Sequence, residues 1–271
     1  MERLIKEATD LATSGVKELM LVAQETTLYG VDIYGEKRLP ALLKELCKIE
    51  GIEWIRILYC YPEEITDELI QVMKEEEKVC NYLDMPIQHA SNDILKRMGR
   101  RTSREELIDI IAKLRKNIPD IALRTTLITG FPGETDENHA ELLDFVEDMR
   151  FDRLGVFTYS EEENTPAAKM DGQIDEEVKE ERKEDIMYLQ QEIAFNNASE
   201  MVGKTVKVLI EGKLPDENVF IGRTYKDAPN VDGYIFVSSE AEIMSGDFVY
   251  AKITKAKEYD LIGEVDYEFT K

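Results

Sequence analysis

The sequence predicts an α/β fold, a partial parallel (β/α) barrel followed by a small all-β barrel. Three observations carry that prediction. Apolar strands alternate with helical stretches of about a dozen residues, the signature of parallel βαβ units. Polar residues gather where those strands end, the place where α/β folds bind ligands. From Lys204 onward the pattern changes to short strands punctuated by Gly and Asp-Gly, as in a closed barrel of about five strands.

Taken in order, Glu2 to Ser14 has an amphipathic helical pattern that Gly15 ends, and Glu18 to Ala23 (ELMLVA) is a buried strand. Pro40 opens a second helix, Gly51 stops it, and Trp54 to Tyr61 (WIRILYCY) is the next strand, closed by Pro62. Thr66 caps a third helix, and Asp84 to His89 (DMPIQH) closes a further strand. Ser91 to Asn117 is helical with a break near Met98-Gly99-Arg100-Arg101. Ile121 to Thr135 (IALRTTLITGFPGET) is a strand running into a tight turn. Gly130 and Gly133 bracket Phe131-Pro132 there, and the turn opens a helix over Asp136 to Arg150. Leu154 to Tyr159 is a fifth strand. A chain that opens on a helix leaves such a sheet one strand short. The predicted division is residues 1–160 for the partial barrel, 161–203 for a linker with a charged helix, and 204–271 for the β-barrel.

With 34 Lys and Arg against 57 Asp and Glu, the formal charge is −23, so the chain is expected to repel nucleic acid and anionic membranes unless it carries a local basic patch and to attract basic partners, although charge alone favours a solubilising role. No apolar run approaches the roughly 20 residues that span a bilayer, and MERLIKEATDL has no signal-peptide pattern, so the expected location is cytoplasmic. Cys47, Cys60 and Cys80 match neither a disulfide framework nor a metal-binding spacing and are expected as buried or half-buried thiols. His89 is expected to be satisfied by a neighbouring backbone group, and His139 to be exposed. Arg97, Arg100 and Arg101 are expected at a solvated junction between helices, and the acidic run from Asp175 is expected to be a solvated helix face.

The segments LVAQETTLYG, WIRILYCYPEEIT, YLDMPIQHASNDILKRMGRRTSREE, IALRTTLITGFPGETDENHAELLDFV and FDRLGVFTYSEEENTPAA resemble consecutive landmarks of the radical-SAM methylthiotransferases. GRTYKDAPNVDGYIFV and GDFVYAKITKAKEYDLIGE resemble their C-terminal TRAM domain, an OB-like barrel. The wording is closest to the RimO-type branch, which methylthiolates an aspartate of a small-subunit ribosomal protein. The family's Cys-x-x-x-Cys-x-x-Cys loop and its preceding domain have no counterpart in this sequence, which leads to the expectation of a fragment, inactive alone.

The resemblance implies S-adenosylmethionine and [4Fe–4S] clusters as the full-length family's cofactors, with no metal ligands on this chain and no catalytic residue assigned. It implies that Gln24, Glu25 and Thr26 meet the methionine amino and carboxylate groups, with a helix cap as the alternative for Glu25. Gln88 and Arg124 would contact ribose and carboxylate, or Arg124 would pair with a barrel Glu. Gly130 and Gly133 would admit the adenosyl group, with Phe131 and Pro132 as an apolar wall. The expected partner is a basic small-subunit ribosomal protein rather than nucleic acid or membrane, because residues 204–271 hold nine Lys or Arg against thirteen Asp or Glu. Asp227 and Asp232 are expected among the exposed carboxylates that attract it. A tRNA methylthiotransferase fragment and a non-catalytic binding module are the alternatives.

Overall fold

The computed structural model describes residues 1–268. Five parallel strands form one open sheet in sequence order: β1 (Glu18–Leu21), β2 (Trp54–Ile57), β3 (Val79–Asp84), β4 (Ala122–Thr129) and β5 (Arg153–Thr158). Eight helices accompany it among the described residues: α1 (Glu2–Thr13), α2 (Val31–Tyr34), α3 (Leu39–Cys47), α4 (Asp67–Glu75), α5 (Asn92–Arg97), α6 (Arg104–Asn117), α7 (Asp136–Met149) and α8 (Glu176–Ser199).

Strand alternation sorts the side chains. Leu19, Ile55, Ile57, Leu83, Leu123, Leu127, Leu154 and Val156 turn toward the helices and join Leu42, Leu46, Ile111, Leu142 and Phe145 in the main core. The other set, including Glu18, Arg56, Tyr82, Asp84, Arg124 and Arg153, lies on the concave face. Sequence-local signals fix the helix starts. Thr66 Oγ1 accepts from the Leu69 amide, while Ser103 with Glu106 and Thr135 with Asn138 form reciprocal capping boxes.

The remaining strands, β6 (Thr205–Lys213), β7 (Val219–Thr224), β8 (Ile235–Ser238), β9 (Phe248–Lys257) and β10 (Asp260–Val265), close into a barrel in the order β10-β8-β7-β6-β9. Val208, Ile210, Phe220, Ile235, Val237, Ala251 and Ile253 fill it, and Ala198 and Met201 from the end of α8 join that core. The strands run shorter than the apolar runs that announce them: β1 stops at Leu21 and β2 at Ile57, because the chain bends away to form the mouth of the sheet.

Candidate functional site

The mouth is built where β1 to β4 end. Glu25 caps a single 3-10 turn, Thr26–Leu28; its Oε1 accepts from the Thr27 amide at 2.9 Å and its Oε2 from the Tyr61 amide at 2.8 Å. Thr26 donates through Oγ1 to the Leu58 carbonyl at 2.6 Å and through its amide to the Tyr59 carbonyl at 2.9 Å. These two residues stitch the ends of β1 and β2 together. Burial pushes the Glu25 carboxyl up to about 7 against the opposing pull of those two amides. Gln24 beside them is exposed, and its side chain makes no hydrogen bond among the described residues.

Beyond the ends of β2, β3 and β4 the chain turns through left-handed backbone at Tyr59 (φ 57°), Gln88 (φ 71°) and Gly130 (φ 70°). Only the last is glycine, so two residues carry strain that the surrounding bonds must hold. Asp84 holds the first, its Oδ2 accepting from the Tyr59 amide at 3.2 Å and its Oδ1 from Arg124 Nη1 at 2.9 Å. Gln88 is held as an isolated bridge, donating to the Thr126 carbonyl at 3.0 Å and accepting from the Ile128 amide at 2.7 Å, while its side-chain amide stays free. Around these turns Met20, Val22, Tyr59 and Phe157 expose large apolar surface, 63% for Phe157.

The Gly130–Glu134 turn is organised by a carboxylate. Glu134, fully buried, accepts from the amides of Gly130 at 2.7 Å and Phe131 at 3.2 Å and pairs with Arg182 of α8 at 3.2 Å. Burial alone would raise its carboxyl. The His89 ring, Arg182 and the Gly130 amide outweigh burial and hold it below the ordinary carboxylate range. His89 is buried with Nδ1 accepting from the Ser91 amide at 2.9 Å, as expected; that places the ring proton on Nε2, 3.7 Å from Glu134. Phe131 packs edge-to-face on Tyr159 with centroids 5.2 Å apart.

The close approach expected at the two glycines is present, but the chain itself occupies it. A Cβ on Gly130 would lie 2.2 Å from Cγ of Lys179, and one on Gly133 would lie 2.7 Å from Cζ of Arg97. Arg97 is exposed, as a solvated junction residue would be, while its Nε donates to the Pro132 carbonyl at 2.8 Å. The acidic run also hides more than a solvated face, since Lys179, Arg182, Ile186 and Gln190 of α8 are buried. His139, expected outside, is buried with Nε2 3.2 Å from Asp185.

The opposite half of the concave face is sealed by the β7–β8 loop of the small barrel. Glu18 accepts from Arg56 Nε at 2.8 Å and from Arg223 Nη2 at 2.6 Å, and Arg56 Nη1 donates to the Tyr225 carbonyl at 2.6 Å. Tyr82 donates to Asp232 at 3.0 Å, Arg124 lies 3.6 Å from the same carboxylate, and Arg153 pairs with Asp227. Two expectations change here. Asp227 and Asp232 are buried between the two units rather than presented to a partner, because each faces an arginine of the sheet. Arg124 is the third residue of β4, not its end, and its guanidinium is taken by carboxylates, but by Asp84 and Asp232 and not by the expected barrel Glu.

The cofactors implied by the resemblance can be tested against these side chains. Cys60 and Cys80 are buried, Cys47 is half-buried, and among the described residues no group of three His, Cys, Asp or Glu could hold a metal ion. Burial pushes the Cys47 and Cys80 thiols up to about 12, away from the thiolate a cluster needs. The thiols present do not fit a cluster, and the side chains nearest the two glycines are Lys179 and Arg97. What the mouth leaves open is the apolar surface with the free amides of Gln24 and Gln88. The strained turns at Tyr59 and Gln88 carried no sequence signal beyond their place after a strand.

Comparison with known proteins places this geometry. Residues 202–265 match the TRAM domain. Among curated relatives, "Ribosomal protein uS12 methylthiotransferase RimO" of Lachnoclostridium phytofermentans is 66% identical over 98% of this chain and 60% of its own length. The protein of the same name from Desulfitobacterium hafniense is 54% identical over 97% of this chain and 59% of its own. The chain thus spans about 60% of the length of the curated relatives it matches. Among solved structures, the radical S-adenosylmethionine methyltransferase TsrM from Kitasatospora setae aligns at a TM-score of 0.46 and 16% identity, over 57% of this chain and 30% of that one. Residues 1–146, from α1 through the glycine turn to α7, match the Radical SAM superfamily, and the chain belongs to that family.

Proposed function

We propose that this chain is the C-terminal part of a radical-SAM methylthiotransferase that adds a methylthio group to an aspartate of a small-subunit ribosomal protein. Residues 1–160 serve as barrel wall, 161–203 as connector, and 204–271 as a fixed barrel beneath it. The observation that carries the reading is the 66% identity that runs through both units in order. The open mouth supports it: the exposed Tyr59 and Phe157 and the free amide of Gln88 form a surface suited to a protein segment. The family's S-adenosylmethionine and cluster would be held with residues outside this sequence, and the setting would be cytoplasmic.

Deleting the gene for this chain and weighing the small-subunit ribosomal proteins by mass spectrometry tests the assignment. The expected result is loss of one methylthio group from an aspartate. Disappearance of methylthio-adenosine from tRNA, with the ribosomal proteins unchanged, would move the substrate to RNA. The chain alone, reconstituted with iron and sulfide without air, is expected to stay free of a [4Fe–4S] absorbance band.

A further inference from the structure

In one cleft of this acidic chain cations outnumber carboxylates. A cleft of about 590 Å³ lies where α6, α7 and the end of α8 meet the small barrel. Arg115, Arg150, Lys204, Lys207 and Lys226 line it, against three carboxylates. The volume falls in the range of small-ligand sites. Lysines 226 and 207 are neutralised locally, by Asp152 and Glu53, both at 2.8 Å. Of the other three, Arg150 is weakly paired, with Glu200 at 3.8 Å and the Asn197 side chain at 3.2 Å, and among the described residues Arg115 and Lys204 have no carboxylate at ion-pair distance. Arg115 uses one nitrogen on the carbonyls of Met149 and Arg150, and its remaining N–H groups make no hydrogen bond among the described residues. Burial, with Arg150 nearby, draws its guanidinium below the ordinary arginine range despite Asp152. Lys204 has the thioether of Met201, at 3.9 Å, as its partner and no carboxylate among the described residues. Arg150, in left-handed backbone at the end of α7, reaches Glu200 at 3.8 Å. Tyr225, half-buried with its hydroxyl on the Asp120 carbonyl at 2.9 Å, forms a fixed aromatic wall.

We propose that this cleft binds a phosphate-bearing anion, with Lys204, Arg115 and Arg150 as its cationic contacts and the Tyr225 ring beside them. Two cations without a carboxylate and a third held only at 3.8 Å from one, around one cavity, match adjacent phosphate groups, since guanidinium forks pair with two oxygens at once and the lysine adds a point charge. Two sources share that chemistry: a free oligophosphate, or the phosphates of an RNA strand. The rest of the surface, at −23 overall, repels a long polyanion, which favours the small one.

Calorimetric titration of the whole chain with sodium tripolyphosphate, and separately with a short single-stranded RNA, distinguishes them. The expected result is tripolyphosphate binding that weakens about tenfold with Lys204→Glu, weakens again with added salt, and is unchanged in Lys6→Glu on the exposed face of α1. Binding of the RNA with the same dependence on Lys204 would support the site and assign it to RNA phosphates. Absence of heat from both, or binding that Lys204→Glu leaves intact, would overturn it. Lys204 is exposed, so the variant keeps the fold, and a matching circular dichroism melt checks this. The outcome is independent of the methylthiotransferase reading, which concerns the opposite end of the sheet.

Discussion

Glu25 shows what a single mouth residue contributes. Its folded-state carboxyl titrates near 7, above the ordinary value of 4.5. Between those two values the folded chain holds a proton that the unfolded chain has released, so stability is greatest at the acid end and falls as pH rises toward 7. Melts of Glu25→Gln from about pH 5 to about pH 7 should lack the part of that slope due to this group. A glycine gives the second case. Gly130→Ala must place a methyl group 2.2 Å from Lys179 while keeping φ at +70°. A loss of about 1–3 kcal/mol in urea unfolding is expected, and Lys179→Ala in the same chain should recover part of it. The sequence displayed both glycines and the turn they make, but not what comes near them. Lys179 lies about fifty positions further on, inside a run that reads as a solvated helix. Close approach was legible and its partner was not.

At the scale of elements, local chemistry was readable because it is written within four residues. Thr66 announces the start of α4, and the alternation through β4 announces which side meets the helices. The role of α8 was not readable, because its buried cations answer to Glu134 and the glycine turn, far off in sequence. Arg182→Ala leaves the buried Glu134 carboxylate with its amides and His89 but no cation. The expected cost is about 3 kcal/mol by urea denaturation, with the larger loss near neutral pH. The sign follows from the depressed Glu134 carboxyl: its contribution is present above the ordinary carboxylate range and fades as pH falls through the folded value. A melt in which Arg182→Ala matched the parent at neutral pH would remove α8 from its place as the clasp of the turn.

At the scale of the whole molecule, the sheet and the small barrel meet through buried ions beside an apolar cluster in which Trp54, Cys80 and Ala122 pack against Leu209, Ala228 and Phe248. Asp227→Ala would strand Arg153, which is 19% exposed at its side chain, for an expected loss of about 3 kcal/mol. Association with a basic ribosomal protein, followed by surface plasmon resonance, should keep its rate, because that carboxylate faces inward. Scanning calorimetry should show one transition for both units in the parent chain. The overall plan, parallel units and then a barrel, was legible from periodicity; the seam was not, because Glu18 and Arg223 stand 205 positions apart.

That seam bears on inheritance and on protein engineering. A barrel whose docking loop is matched to Glu18, Arg56, Tyr82, Arg124 and Arg153 cannot be exchanged among relatives as a free module. A chimera that borrows only the tail would bury mismatched charges, so the loop and the concave arginines have to travel together, in gene shuffling as in evolution.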